Sequence, residues 1–155
     1  MSLRLVASTA ADYPLLGAAV WRGWAVPPGG LERPEVLAML GPWVDGLRQA
    51  QGWGGWLALE AGEVVASVAV KAPVAAGMVE IGYGVAPARR GRGVATRMVL
   101  ALLPVLAGHG VARVRAETAE DNPASARVLV KAGFRDVGRG ISAEDGPVIW
   151  WEREP

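Results

Sequence analysis

The stretch Arg90-Gly91-Arg92-Gly93-Val94-Ala95 decides the fold of this chain. It follows a strand-like segment, residues 78–85, across a turn at Pro87, and it opens an apolar segment with helical spacing. The pattern therefore predicts small and basic residues at the start of a helix, where several backbone N–H groups lack a helical acceptor. Those groups and the positive end of the helix dipole form an anion site. A pyrophosphate fits such a site, which favours a cofactor that carries a diphosphate.

The composition sets broad limits on the class of protein. Its 155 residues are 52% hydrophobic and 20% charged, with a formal net charge of +1. A chain of this length and balance is expected to form one domain with its own core, and its near-neutral charge gives no support to nucleic-acid binding. The chain has no cysteine and one histidine, His109. This excludes disulfides and zinc–thiolate sites, and no metal site is predicted.

The absence of targeting signals favours a cytoplasmic, soluble protein with no membrane partner. Residues 1–8 lack the apolar core of a signal peptide. The longest apolar run, residues 98–107, is too short to span a bilayer and contains Pro104. That proline predicts a kink or an early end of the helix that holds it.

Hydrophobic periodicity and turn residues predict a mixed α/β fold without internal repeats. A strand is expected at residues 3–7, followed by a helix that Ser8, Thr9 or Asp12 caps and that runs to about Trp24. A second helix is expected over about residues 34–51. The remaining predicted elements are strands at 56–60, 64–70 and 78–85, a helix from the glycine turn to about 106, a strand at 111–118, a helix that begins at Asn122-Pro123 and stops at Gly133, and two strands near 134–139 and 147–153.

Two sequence blocks, residues 90–95 and residues 122–134, lie at a distinctive spacing. The first matches the pattern Gln or Arg, two residues, Gly, one residue, then Gly or Ala; the second reads Asn-Pro-Ala-Ser-Ala-Arg-Val-Leu-Val-Lys-Ala-Gly-Phe. Together they resemble the GNAT family of acyl-CoA-dependent N-acetyltransferases. The second block is closest to the branch that contains ribosomal-protein N-terminal acetyltransferases. The resemblance covers about residues 78–134, and residues 1–77 agree in element order alone.

The resemblance implies an α/β fold with a twisted, mostly antiparallel sheet of about seven strands and about four helices, splayed at a central parallel strand pair. It implies a single acyl-CoA N-acyltransferase domain over residues 1–155. Residues 1–77 would form the acceptor-side half, residues 78–134 the acetyl-CoA-binding core and residues 135–155 the C-terminal strands. Acetyl-CoA is then the co-substrate, and its acetyl group passes directly to a primary amine in a ternary complex. The alternative is a noncatalytic acyl-CoA-binding or sensor domain of the same fold.

The same resemblance implies which residues hold coenzyme A. Its pyrophosphate would lie on the backbone of the turn, where Gly91 and Gly93 allow a close approach. The thioester would lie beside Gly84 and Val85, and Asn122 would contact the pantetheine arm. The turn residues are Arg90, Gly91, Arg92, Gly93, Val94, Ala95 and Thr96. The alternative is a plain loop with solvated arginines.

Two residues are candidates for catalysis. Glu80 shares strand parity with Gly82 and Gly84, so its carboxylate would face the thioester and take a proton from the amine. Alternatively, Glu80 holds a cationic substrate or pairs with a nearby arginine. Ser125 matches the position where the ribosomal-protein branch has a serine, which implies a hydrogen-bond donor to the leaving thiolate. Alternatively, Asn122 is a simple N-cap and Ser125 an ordinary first-turn residue.

Seven tryptophans leave the acceptor open. Most are expected to fill the core, with Trp24, Trp53 and Trp151 as candidates for an aromatic acceptor pocket. An exposed tryptophan would also suit a homodimer surface. The predicted acceptor is a small-molecule amine or a protein or peptide N-terminus.

Overall fold

A computed structural model describes residues 2–155 of the chain. Within this range the helices are α1 (Pro34–Gln51), α2 (Val94–Gly108) and α3 (Pro123–Lys131). The strands are β1 (Arg4–Ala7), β2 (Val20–Trp21), β3 (Trp24–Ala25), β4 (Gly55–Glu60), β5 (Glu63–Val70), β6 (Met78–Val85), β7 (Arg113–Ala119), β8 (Arg135–Ser142) and β9 (Gly146–Arg153). Two short 3-10 helices occupy Tyr13–Gly17 and Pro87–Arg89.

The strands form one mixed sheet in the order β1-β4-β5-β6-β7-β9-β8. Every neighbouring pair on this path is antiparallel except β6 and β7, which confirms the predicted α/β sheet with a central parallel pair. The seven expected strands form the path, and the two-residue strands β2 and β3 bring the total to nine. The described residues contain three α-helices rather than about four, because the first predicted helix does not form.

The parallel pair separates part of the way along its length. The register of β6 and β7 runs from Met78 opposite Arg113 to Ile81 opposite Ala116 and stops there. Beyond that point β6 pairs only with β5, as far as Val85, while β7 continues beside β9. The sheet is therefore open on one side of the second half of β6, as the family resemblance implies.

Two apolar clusters cover the two faces of the sheet. On β4, Trp56 and Ala58 pack into the cluster that contains α2, whereas Leu57 and Leu59 pack into the cluster that contains α1. Both faces of this strand are buried, so it is a continuous apolar run rather than an alternating one. Helix α2 packs on β1, β5 and β6, and this packing holds its first turn beside the end of β6.

The helix predicted to start from a cap at Ser8, Thr9 or Asp12 and to run to about Trp24 is wrong, because the Asp12 side chain has other partners. Its carboxylate accepts hydrogen bonds from the Thr9 backbone and from Trp21 Nε1 at 3.0 Å, and it pairs with the Arg22 guanidinium at 2.8 Å. Those contacts draw residues 21 and 22 back onto residue 12, and the chain turns at Ala18 into the β2–β3 ribbon. A straight helix would carry Trp21 and its indole N–H away from the carboxylate.

Helix α2 continues through Pro104 to Gly108, so the predicted early end does not occur. Pro104 lies on the exposed side of the helix, where water can replace the hydrogen bond that proline cannot donate. No helix within residues 2–155 combines the length and the apolar character needed to cross a membrane.

We predict that Leu102→Ala lowers the free energy of unfolding by about 2–5 kcal/mol, because Leu102 is fully buried beneath α2 and its loss leaves a cavity. The matched variant Leu100→Ala, on the same helix but 42% exposed, is expected to change it by no more than about 0.5 kcal/mol. Urea denaturation of both variants measures the difference. Equal effects would contradict the assignment of the buried face of α2.

Candidate functional site

The opening in the sheet leads into a cavity of about 700 Å³. A smaller cavity of about 110 Å³ adjoins it on the α1 side, and Glu32, Tyr83 and Gly84 line both. The larger cavity is lined by Glu32, Tyr83, Gly84, Val85, Arg89, Arg90, Gly91, Gly93, Val94, Ala95, Thr96, Asn122, Ala124, Ser125, Arg127, Val128 and Lys131. It therefore lies between the end of β6, the turn before α2 and the first turns of α3.

The turn before α2 exposes its backbone to the larger cavity. Gly91 and Gly93 have positive φ angles of 76° and 74°, a conformation that strains any residue with a side chain, and Gly93 is the N-cap of α2. A Cβ atom at Gly91 would meet no other atom within 4 Å, so this surface is open. The first N–H groups of α2 lack helical acceptors there. The turn can bind an anion through its backbone.

Four cations line the larger cavity, Arg89, Arg90, Arg127 and Lys131, against the single carboxylate of Glu32. Arg89 is positioned by Glu63, with Nε and Nη2 at 2.8 and 2.6 Å from the carboxylate oxygens. These hydrogen bonds lower the pKa of Glu63 from its ordinary value. The Nε of Arg90 donates to the Val85 carbonyl at 3.3 Å, so its guanidinium lies against the end of β6. The cavity thus has a positive field that suits a polyanion.

The start of α3 brings two hydroxyl groups together at the cavity wall. The Asn122 side chain accepts a hydrogen bond from the Ser125 backbone N–H at 3.3 Å, which confirms Asn122 as the N-cap. The hydroxyl oxygens of Ser125 and Tyr83 are 3.1 Å apart. Burial raises the pKa of Tyr83 above 10.0, and its hydrogen bond with Ser125 opposes part of that shift. Tyr83 is therefore a neutral phenol at ordinary pH.

Most residues predicted to bind the cofactor lie together in this cavity. Its wall includes Gly84, Val85, Arg90, Gly91, Gly93, Val94, Ala95, Thr96, Asn122 and Ser125. Arg92 does not line it; instead, the Arg92 carbonyl accepts a hydrogen bond from Arg97 Nη1 at 2.8 Å. Arg97 is itself held by Glu60 on β4, with nitrogen–oxygen distances of 3.0 and 2.8 Å. Arg92 thus contributes to the shape of the turn through its backbone.

Glu80, the predicted proton acceptor, lines neither cavity. Its carboxylate pairs with Lys71 Nζ at 3.0 Å, and the same Nζ lies 4.0 Å from Glu117. This contact matches the alternative of an ion-paired Glu80, with a lysine where an arginine was expected.

None of the three tryptophans predicted for an acceptor pocket lines either cavity. Trp151 is 7% exposed in the main core, and its Nε1 donates to Thr118 Oγ1 at 2.9 Å. Trp53 stacks on His109, with ring centroids 4.4 Å apart, and Trp24 packs at the α1 side beneath the Arg4 guanidinium. Large apolar rings are accommodated best where they bury most area, which is why these three fill packed regions.

Sequence reasoning missed two residues that line both cavities, Glu32 and Tyr83. Strand alternation places Tyr83 on the face of β6 opposite Glu80, but alternation alone does not predict which side chain Tyr83 contacts. Glu32 follows the break at residues 27–30. The one feature of the sequence that could have indicated a functional role for Glu32 is its position in a loop between predicted elements.

The comparisons with known sequences agree with this geometry. Residues 2–135 match the family model described as acetyltransferase (GNAT) domain. Phosphinothricin N-acetyltransferase of Streptomyces coelicolor is 37% identical to this chain over 86 residues, which are 52% of the chain and 50% of that protein. The chain therefore spans about half the length of the curated relative that it matches.

Solved structures share the fold over 99% of this chain. An aminoglycoside acetyltransferase in complex with coenzyme A and kanamycin has a TM-score of 0.72 at 20% identity, with 95% of that chain covered. Ribosomal-protein-S5-alanine acetyltransferase of Vibrio fischeri has a TM-score of 0.74 at 14% identity, with 93% covered. Because the family model spans most of the sequence, the chain belongs to the acetyltransferase (GNAT) domain family.

Proposed function

We propose that this protein is an acetyl-CoA-dependent N-acetyltransferase that transfers an acetyl group to a primary amine. One observation carries the proposal: a cavity that joins an anion-binding turn to the open end of β6. A transferase needs both parts, since one holds the phosphates of the donor and the other brings its thioester to the acceptor. Membership of the GNAT family supports the same reaction. The alternative of a noncatalytic acyl-CoA sensor needs the turn but has no use for the second cavity.

The residues present fit acetyl-CoA as co-substrate. The amides of the turn from Arg90 to Thr96 would hold the pyrophosphate, and the cations at the cavity wall would balance further phosphate charge. Asn122 would contact the pantetheine arm. We further propose that residues 1–155 act as one acyl-CoA N-acyltransferase domain, in which residues 1–77 supply the acceptor side.

The reaction requires a neutral amine, since an ammonium group has no lone pair. The amine nitrogen attacks the thioester carbonyl carbon, a C–N bond forms, and the negative charge moves to the carbonyl oxygen. We propose that a backbone N–H at the end of β6, beside Gly84 and Val85, stabilises this oxyanion. The C–S bond then breaks, and the products are an amide and coenzyme A.

The departing thiolate requires a proton donor, and Ser125 is our candidate. Its hydroxyl lies at the cavity wall within hydrogen-bond distance of Tyr83. A neutral Tyr83 can donate to Ser125 while Ser125 donates to sulfur, so the two hydroxyls would act as a short relay.

The acceptor is a small-molecule amine or a protein or peptide N-terminus. The names of the relatives describe amines of both kinds, phosphinothricin and kanamycin on one side and a ribosomal-protein alanine on the other. A cytoplasmic location and a homodimer stay predictions. Trp43, at 44% exposure, is the tryptophan available for a contact between copies.

Gly91→Ala should weaken acetyl-CoA binding roughly tenfold or more, because a methyl group would stand on the backbone surface that the pyrophosphate contacts. Gly62→Ala, in the β4–β5 turn, is the matched control, since its φ of 79° and its open surroundings repeat those of Gly91. Calorimetric titration with acetyl-CoA measures both. A chain that binds no acetyl-CoA at millimolar concentration would refute the proposed function.

Ser125→Ala should lower kcat by roughly 10- to 100-fold and leave the acetyl-CoA Kd nearly unchanged, because the thiolate loses its proton donor. If the hydroxyls act as a relay, adding Tyr83→Phe to Ser125→Ala should cost little more. Thiol release from acetyl-CoA with a panel of amines measures kcat. Ser142→Ala, at the end of β8, is the control, and an equal loss there would assign the effect to general destabilisation.

The free energy of unfolding should fall as the pH rises above about 10. Burial raises the pKa of Tyr13 and Tyr83 in the folded state, so above the ordinary pKa of 10.0 the unfolded chain releases protons that the folded chain retains. The stabilisation from the two tyrosines is complete below their pKa in the unfolded chain, and it is lost as the pH rises through their pKa in the folded protein. Tyr83→Phe should make this decline shallower in urea denaturation between about pH 9 and 11. An unchanged decline would show that Tyr83 titrates normally.

A further inference from the structure

We propose that Glu32 binds the acceptor amine and takes its proton, and that the acceptor carries a compact apolar group without a carboxylate next to the nitrogen. This inference rests on the proposed acetyl transfer and assigns to Glu32 the role that sequence reasoning gave to Glu80.

The position of Glu32 is the first support. It precedes α1 and follows Leu31, which is fully buried and whose N–H donates to the Leu16 carbonyl at 3.0 Å. That anchor directs the next side chain across to β6, where the carboxylate lies against Gly84: a Cβ atom added to Gly84 would overlap Glu32 Oε1. Glu32 therefore lies at the junction of the two cavities, beside the strand end that would hold the thioester.

The second support is that the Glu32 carboxylate is free. Within residues 2–155, the neighbouring acids on the sheet all have cationic partners: Glu60 with Arg97, Glu63 with Arg89, Glu80 with Lys71, and Glu152 with Arg115. Glu32 takes part in no ion pair or side-chain hydrogen bond of that same range, although it is half-buried. A partly desolvated carboxylate without a partner is suited to an incoming ammonium group.

The same geometry argues against Glu80. Its partner Lys71 extends along β6 so that Lys71 Cε lies 3.2 Å from the Cβ position of Gly82. The Lys71 side chain thus lies between Glu80 and Gly84, and its ammonium group competes for the Glu80 carboxylate. An amine that reached Glu80 would first have to displace this lysine.

The smaller cavity indicates the class of acceptor. Apart from Glu32 its lining is uncharged, and its side chains are mainly apolar: Tyr13, Val36, Leu40, Ser67, Val68, Ala69 and Tyr83. An ammonium group can pair with Glu32 while a short hydrocarbon group occupies the rest of this cavity, whose whole volume is about 110 Å³. A carboxylate beside the amine would find no free cation among the described lining residues, because Lys71, which lies against Gly82, already pairs with Glu80. Burying an unpaired charge is costly.

The proton balance of the step is complete. The acceptor arrives as RNH3+, its proton passes to the Glu32 carboxylate, and the free lone pair attacks the thioester carbonyl carbon. The tetrahedral adduct releases its second N–H proton to solvent as the C–S bond breaks, while Ser125 protonates the thiolate and recovers a proton from solvent. The net products are RNH–CO–CH3, coenzyme A thiol and one proton, which Glu32 returns to solvent.

The test uses the full chain, acetyl-CoA and two acceptors that differ by one carboxylate, isoamylamine and leucine. Glu32→Gln should lower kcat/KM for isoamylamine by roughly 100- to 10,000-fold and change the acetyl-CoA Kd by less than about threefold. Glu32→Asp should restore part of the activity. Glu35→Gln is the matched control, because Glu35 lies three residues away and its exposed side chain pairs with Arg33 within residues 2–155. Wild-type protein should prefer isoamylamine to leucine by about tenfold or more.

Each of the following outcomes would contradict one part of the proposal. A Glu32→Gln variant within about threefold of wild type, or a Glu80→Gln variant that loses more activity than Glu32→Gln, would refute Glu32 as the proton acceptor. Equal use of leucine and isoamylamine would refute the acceptor class. Wild-type protein that binds acetyl-CoA but releases no thiol with any amine would refute the proposed transfer itself, and this inference with it. Thermal unfolding of each variant separates these results from misfolding.

Discussion

The partial pairing of β6 with β7 is the constraint on which the rest of this structure depends. Four residue pairs, ending at Ile81 and Ala116, hold the parallel strands together, and then each strand follows its antiparallel neighbour on the other side. The backbone groups of the second half of β6 that face away from β5 are left without a strand partner. That half of β6 can therefore present backbone and small residues to a ligand, which a fully paired central strand cannot do.

Helix packing turns this opening into a site. The buried face of α2, with Met98, Leu102 and Leu106, holds the helix on the sheet so that its first turn lies beside the end of β6. Ion pairs then secure the surrounding turn: Glu63 positions Arg89, and Glu60 positions Arg97, which in turn holds the Arg92 carbonyl. Carboxylates on β4 and β5 thus organise the cations around a cavity whose lining has a positive field.

Local signals were enough to predict much of the fold. The N-cap Asn122, the glycine turn and the strand at residues 78–85 depend on contacts within a few residues, and the structure has each of them. The prediction failed at residues 12–24, where helical spacing was present. There the Asp12 carboxylate binds Trp21 and Arg22, and a buried polar network outweighs a propensity worth a few tenths of a kcal/mol per residue.

By itself the sequence determined the family, the glycine turn before α2 and the start of α3, because each of these is encoded in a short run of residues with fixed backbone geometry. Only the tertiary structure decided which carboxylate faces the two cavities. Glu80 shares strand parity with Gly82 and Gly84, which favoured it. However, Lys71, nine residues earlier and directly after the end of β5, pairs with Glu80. Glu32, 52 positions before Gly84 in the chain, comes against β6 because Leu31 is buried beneath the loop. Ion pairing and long-range packing of this kind leave no local pattern in the sequence.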